Sequence, residues 1–426
     1  MRVSWPAAVL VVVLPGLEAR AQTGALTLED CVRRALTGPS SVTVARQQRE
    51  IASLGLTQAR AAFLPQAQAA GAFTYNSALP GTHDVPSHVA LNGVREYGAL
   101  VTAVQELDIS GRLRATSARA RADRDAAEAS VRIAERDLRR AVSGSYYRLL
   151  LARRLVEVAR DALDEARRFE TRTQQLFDKG EAARADVVKA SAQTAFLEQT
   201  VSIAELGAQT ANHELASFWT TSVADPLPLD DVLEAPVTLP DVEAPPDDGP
   251  FLRRPEHGLF EAQRRSFDAD ARRVRAELLP QASVTFQYGL DSLRFHWADR
   301  GYAAFFSLNV PIFDWFKTRS ASRQLRLQAD QVDQNRRIAE RAFSRDYHDA
   351  LDRVRAAYAQ IALTRAQVTL SAENLRLSRV RYEGGEGSAL DVVAAQGQLA
   401  DARTNYFTTL ARHLEARADL AVAAGE

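Results

Sequence analysis

The chain carries one motif twice, and this duplication restricts its possible folds more than any other feature. Residues 59–67 (ARAAFLPQA) return as residues 274–282 (VRAELLPQA), 215 positions later. Residues 177–181 (FDKGE) return as residues 382–386 (YEGGE), 205 positions later. A motif repeated at a fixed separation indicates a repeated structural unit. The sequence therefore predicts two equivalent units in one chain. The two separations differ by ten residues, which we assign to a difference in length between the corresponding loops of the two units.

Composition divides the 426 residues into four segments. Residues 1–21 resemble a secretory signal, with Arg2, a short apolar stretch and the small-residue pattern Ala-Arg-Ala before the cleavage site. Residues 22–221 and 256–426 hold the two units. Between them, residues 222–255 form an acidic linker with eight of the sixteen prolines, which excludes regular helix or central strand.

The only cysteine is Cys31, so no disulfide can form within one chain. It lies ten residues beyond the predicted cleavage site and lacks the small residues that precede a lipidated cysteine. A buried, unmodified side chain on a short helix is the expectation.

Four runs of about ten residues alternate apolar and polar side chains, as tilted membrane strands do. They cover residues 66–76, 97–107, 283–290 and 302–310, of which the second alternates least. Aromatic side chains gather near the strand ends, as at membrane interfaces: Phe295, Trp297, Phe313, Trp315 and Phe316. The strands alone fit a soluble sheet equally well. Since membrane barrels need about eight strands or more, four could serve only if several chains share one barrel.

Two long stretches without proline follow the strand pairs and show the 4,3 spacing of a coiled-coil seam. Large seam residues alternate with Ser, Ala or Thr, which lets helices approach closely. A helix from Leu113 to Phe177 would be roughly 100 Å long. Each unit is thus predicted to be a strand pair followed by a helical hairpin that turns at Gly180 or Gly385.

Composition and motifs disfavour nucleic-acid binding, metal binding and catalysis. A net charge of −1 disfavours a nucleic-acid partner. The seven histidines show no metal-ligand spacing, no catalytic constellation stands out, and residues 384–387 (GGEG) lack the Lys-Ser/Thr of a phosphate-binding loop. We therefore predict no enzyme activity, no metal and no cofactor.

Several motifs occur in a recognisable order along the mature chain. They are residues 26–36 (LTLEDCVRRAL), 254–256 (RPE) and 310–314 (VPIFD), together with both Leu-Pro-Gln motifs and both glycine turns. In this order they resemble the outer-membrane efflux proteins, the TolC-like channels, over essentially the whole mature chain. The resemblance implies a mainly α protein with membrane β-strands. Three chains would build a twelve-stranded β-barrel continuous with a periplasmic α-helical barrel.

The same resemblance implies a passive exit duct in the outer membrane of a Gram-negative-type bacterium. Its partners would be outer-membrane lipid, a periplasmic adaptor and an inner-membrane pump of the RND or ABC type, in efflux or type I secretion. The adaptor contact and closed entrance would lie at the hairpin tips: Gly180, Glu181, Asp186, Tyr382, Gly385, Glu386 and Asp391. Asp186, Tyr382 and Asp391 would form the pore constriction.

Asp186 and Asp391 are equally well explained as N-caps of the helices after the turns. The arginine that locks some family members is replaced by Gly387, so Arg184 or Arg381 would have to substitute. The rival to a channel is a periplasmic coiled-coil adaptor or structural rod, although adaptors carry one helical hairpin rather than two.

Overall fold

The computed structural model describes residues 24–77, 94–235 and 249–426. The predicted signal at 1–21, most of the first hairpin loop and the middle of the linker lie outside these residues. In chain order the elements are α1 (Leu28–Thr37), α2 (Ser41–Ala61), β1 (Gln66–Tyr75), β2 (Arg95–Leu107), α3 (Arg112–Asp178), α4 (Arg184–Ala216), α5 (Glu256–Ala276), β3 (Gln281–Ser292), β4 (Gly301–Asn309), α6 (Lys317–Glu383) and α7 (Ala389–Ala423). Single 3₁₀ turns occupy Pro250–Arg253 and Trp297–Asp299.

The helices α3 and α6 have 67 residues each, as the proline-free seams predict. Both begin just after an aspartate that accepts backbone N–H groups of the first turn. Asp108 accepts from the Leu113 N–H at 2.9 Å, and Asp314 accepts from the Thr318 N–H at 2.8 Å. Hydrogen bonds from the side chain and the backbone N–H of Thr318 lower the pKa of the Asp314 carboxyl. The two units therefore start their long helices with the same capping chemistry.

The helices form four columns side by side: α2 with α4, then α3, then α5 with α7, and finally α6. Toward the sheet, α3 packs between α2 and α5, and α5 packs on α6. Toward the glycine turns, α3 packs between α4 and α7, and α7 packs on α6. The end of α7 meets the start of α5, because Gly425 lies against the backbone of Arg253. Side chains that follow the 4,3 spacing of the predicted seams are buried between these columns, among them Val142 and Leu149 of α3 and Val354 of α6. Within the described residues no helix is both long and apolar enough to cross a membrane.

The four strands make one antiparallel sheet in the order β1-β2-β3-β4. All four predicted strands are confirmed, and β2, the least regular in sequence, is the longest at 13 residues. The register places Val284 beside Phe306 and Tyr288 beside Tyr302 on an apolar face. Alternate residues such as Ser283, Thr285 and Gln287 form the opposite, polar face. Gly289 needs to be glycine, since a Cβ there would lie 2.0 Å from the Ala99 carbonyl oxygen.

A small layer against α3 joins the start of the described chain to the linker. The Tyr146 hydroxyl donates to the Asp230 carbonyl at 2.6 Å and the Leu26 carbonyl at 3.3 Å. Leu26 and Leu229 form a parallel bridge. Cys31 is fully buried on α1, as predicted, and burial raises the pKa of its thiol to about 11. This layer fixes both chain segments to the middle of α3.

Candidate functional site

The two helical hairpins turn through the same backbone structure. After α3, the Gly180 N–H donates to the Phe177 carbonyl and the Glu181 N–H to the Leu176 carbonyl, both at 2.8 Å. After α6, the N–H groups of Gly385 and Glu386 repeat this pattern 205 residues later, at 3.1 and 2.9 Å. Gly180 and Gly385 have φ values of +80° and +76°, which disfavour any side chain. The repeated sequence thus encodes a repeated turn.

The helices after the turns begin differently. In α7 the Ser388 hydroxyl accepts from the Asp391 N–H at 3.2 Å, and the Asp391 carboxylate accepts from the Ser388 N–H at 3.1 Å. These bonds lower the pKa of Asp391. In α4 the equivalent N-cap is Ala183, which makes no such bond. The interpretation of Asp186 and Asp391 as N-caps is therefore wrong. Each lies three residues after the true N-cap, at the third position of its helix.

Tyr382 lies inside the tip. Only 8% of the residue is exposed, and its ring centroid is 5.2 Å from that of Phe169 on α3. The hydroxyl is buried and has no hydrogen-bond partner among the described residues. Such a group is destabilising unless water or another chain satisfies it. Of the three candidate constriction residues, only Asp186 and Asp391 leave side chains partly or fully exposed.

The tips of both hairpins share one hydrophobic core. The buried residues of this core come from all four long helices: Phe169, Leu176, Ala190, Leu375, Tyr382, Ala389, Val392 and Ala395. An ion pair of 3.6 Å between Arg172 of α3 and Glu383 of α6 also joins the two hairpins. The structure thus brings the candidates of both repeats to one end of the four-helix unit. Gly180, Glu181, Gly385 and Glu386 are exposed at its surface.

Gly387 cannot be replaced by the expected arginine without movement of the turn. A Cβ at this position would lie 3.0 Å from the Tyr382 backbone nitrogen and 3.2 Å from the Arg381 backbone. Arg381 instead donates to the Glu386 carbonyl within its own turn at 3.4 Å. Arg184 is exposed at the start of α4.

Two polar side chains near the tip are buried although the sequence analysis did not identify them. Thr173 is fully buried, and Gln396 is 4% exposed. Neither the Thr173 hydroxyl nor either amide atom of Gln396 has a hydrogen-bond partner in the described part of the chain. Thr173 lies two steps of the 4,3 spacing beyond Ala166, the last predicted seam residue of α3, so a polar residue in the extended seam was the available signal. Gln396 matches Ser191 of the first repeat at the 205-residue offset.

Chemistry at the tip is electrostatic and steric. No group of three or more His, Cys, Asp or Glu residues in residues 24–77, 94–235 and 249–426 could hold a metal ion. The two glycine turns, the capped start of α7 and the shared core instead provide an end of the helical unit with acidic side chains on its surface.

The sequence matches the outer membrane efflux protein family over residues 32–220 and 253–426. No curated protein gives a match. Solved structures give the same fold at low sequence identity. The open-state outer membrane channel MtrE of Neisseria gonorrhoeae superposes with a TM-score of 0.82 and 22% identity, covering 93% of this chain and 88% of MtrE.

Two further channels are similar. CmeC of Campylobacter jejuni has a TM-score of 0.79 and 17% identity over 93% of this chain and 85% of CmeC. The outer-membrane channel OprN has a TM-score of 0.80 and 20% identity over 93% of this chain and 89% of OprN. The predicted resemblance and fold class are confirmed by these matches.

Proposed function

Because the chain belongs to the outer membrane efflux protein family, we propose that it is one subunit of a passive exit duct through the outer membrane. It is an outer-membrane channel protein with a periplasmic helical tunnel. Proteins of this family are channels rather than enzymes. The single observation that carries the proposal is one four-stranded sheet, apolar on one face, joined directly to two helical hairpins of tunnel length.

Three copies would complete the duct. Among the described strands, β1 and β4 each have one neighbour, so each sheet has two open edges. Strand directions alternate across the sheet, so β4 of one copy would be antiparallel to β1 of the next. Such head-to-tail pairing closes into a ring. Closure also removes edges that would otherwise promote aggregation.

The helices support the same arrangement. An apolar stripe on the edge helix α6 stands exposed at seven-residue spacing, formed by Leu363, Leu370 and Leu377. The opposite edge helix α4 exposes Phe196 and Ile203, also seven residues apart. A seven-residue apolar repeat is the seam by which helices pair. We infer that α6 of one copy packs on α4 of the next.

The tips would be the periplasmic entrance and the surface that docks an adaptor, which links the duct to an inner-membrane pump of the RND or ABC type. Support comes from the shared tip core and from the exposed Gly180, Glu181, Gly385 and Glu386. Asp186 and Asp391 would form the acidic part of the constriction. Tyr382 would join them when its ring leaves the core, which would also give its hydroxyl a partner.

The experiment is to introduce a cysteine at Asp391 and treat membranes with a short trivalent maleimide. The native Cys31 is fully buried and holds its proton, so it should not react. We expect a three-chain product from Asp391→Cys and none from Arg121→Cys, a control at an exposed position of α3 far from the tip. Recovery of the protein in the soluble periplasm without detergent, or single chains only, would contradict the proposal and favour an adaptor or rod.

A further inference from the structure

A groove of about 700 Å³ lies between α3 and α5, immediately below the sheet. Its floor consists of small side chains: Ala115, Ala118 and Ala276. Leu278 and Leu279, where the chain leaves α5 for β3, line its upper end and are exposed. Three arginines stand around it: Arg114, Arg272 and Arg275. The groove is therefore apolar next to the sheet and basic on the side away from it.

Two of these arginines carry charge that nothing nearby neutralises. Arg272 and Arg275 are exposed and three residues apart, so they share one face of α5. Neither guanidinium group forms a hydrogen bond or ion pair with another residue that the structure describes. By contrast, Arg273 between them donates to Asp270 at 2.9 Å and Glu277 at 3.2 Å. The helix therefore separates a neutralised side from a positive side.

The positive side is the side of the apolar sheet face. On the polar side, Arg112 bonds Glu106 of β2 at 3.0 Å, and Arg119 bonds Asp270 at 3.1 Å. Successive helical residues rotate by about 100°. Arg272 is therefore roughly 200° from Asp270, and Arg275 about 140°. The groove thus opens away from the polar face that would line the channel.

We propose that this groove binds an anionic phospholipid of the inner leaflet, with its phosphate on Arg272 and Arg275 and an acyl chain along Leu278 and Leu279. Arginine suits phosphate because its planar guanidinium can donate two parallel hydrogen bonds. The leucines extend the apolar sheet face downward, which favours a lipid over free phosphate. The site rests on the proposed function, since membrane placement of the sheet sets the depth of the groove.

The site lies away from the surfaces assigned to assembly. Within one chain α3 and α5 are inner columns, whereas the proposed contacts between copies use α4, α6 and the sheet edges. A variant in the groove should therefore lose lipid without losing the three-chain assembly.

The test is a titration of the detergent-purified full chain with phosphatidylglycerol, with bound lipids counted by native mass spectrometry. We expect Arg272→Gln and Arg275→Gln each to weaken the lipid affinity by about fivefold, and the double variant by about 25-fold. Arg275→Lys keeps the charge but not the paired donors and should lie in between. The matched control is Arg121→Gln, an exposed arginine without a described partner two turns below Arg114.

Phosphatidylcholine and inorganic phosphate serve as the other arms. Wild-type affinity for phosphatidylglycerol in the double variant overturns the proposal, as does an equal loss in Arg121→Gln. Phosphate that displaces the lipid completely at equal concentration shows a simple anion site and also overturns it. The same spectra report three-chain assembly, so failure of the proposed channel appears as single chains, independently of lipid binding.

Discussion

Replacing Tyr146 by phenylalanine removes one hydroxyl and leaves the ring in place, so it tests how the linker is held on α3. The hydroxyl is fully buried and donates to the Asp230 carbonyl at 2.6 Å. The Leu26 carbonyl, its second neighbour at 3.3 Å, also accepts from the Asp230 N–H at 3.0 Å. Only the Asp230 carbonyl thus loses its described partner. Loss of one buried hydrogen bond should cost about 1–2 kcal/mol.

Hydrogen exchange measures this cost locally. The amides of Leu26 and Asp230 hold the bridge between the start of the chain and the linker. Their exchange should accelerate by roughly 5- to 30-fold in Tyr146→Phe, while the tips should not change. Tyr147→Phe is the matched control, because the Tyr147 hydroxyl has no described hydrogen bond. Equal acceleration in both variants, or none in Tyr146→Phe, would refute the reasoning.

Ionisable groups that are buried or that cap a helix should control stability at three other places. His413 is fully buried on α7, and burial lowers its pKa. As the pH falls below about 6.5, this imidazole therefore takes up a proton in the unfolded chain before it does so in the folded protein. Thermal stability should therefore decline below that pH, and His413→Leu should flatten the decline. Asp391→Ala removes a cap and should loosen the start of α7 by about 1 kcal/mol in hydrogen exchange, whereas Asp186→Ala, where no cap bond exists, should change α4 much less. Arg136 is buried and makes two bonds of 2.9 and 2.7 Å to Glu256, which hold the pKa of Glu256 low although burial opposes this. Arg136→Met should destabilise the detergent-purified protein by about 3–5 kcal/mol, and adding Glu256→Leu should recover most of it in thermal melts.

The long helices were predictable because their signals are local. A helix expected from Leu113 to Phe177 runs from Arg112 to Asp178, since nothing within it breaks the hydrogen-bond pattern and a glycine in the left-handed region ends it. The strands were predictable because alternation has a period of two residues, and the slightly irregular β2 takes its conformation from both neighbours.

The inner arrangement of the tip could not be predicted in the same way. Tyr382 looks like a surface residue beside a turn, but Phe169 of the other hairpin covers it. The contact joins residues more than 200 positions apart, and no local pattern encodes it. The burial of Gln396 was not predictable for the same reason. The predicted N-cap of α7 was wrong by a smaller margin, because Ser388, and not Asp391, is the N-cap residue.

The equal length of α3 and α6 has an evolutionary consequence. Both have 67 residues, so the two turns of each copy end at the same depth. An insertion in one helix alone would tilt the rim and shift every seam residue after it. Tolerated changes should come in matched pairs of about seven residues, each moving the entrance by about 10 Å. Tunnel depth in such proteins is thus a stepped quantity, and unmatched length variation should collect in the loops between strands and in the linker.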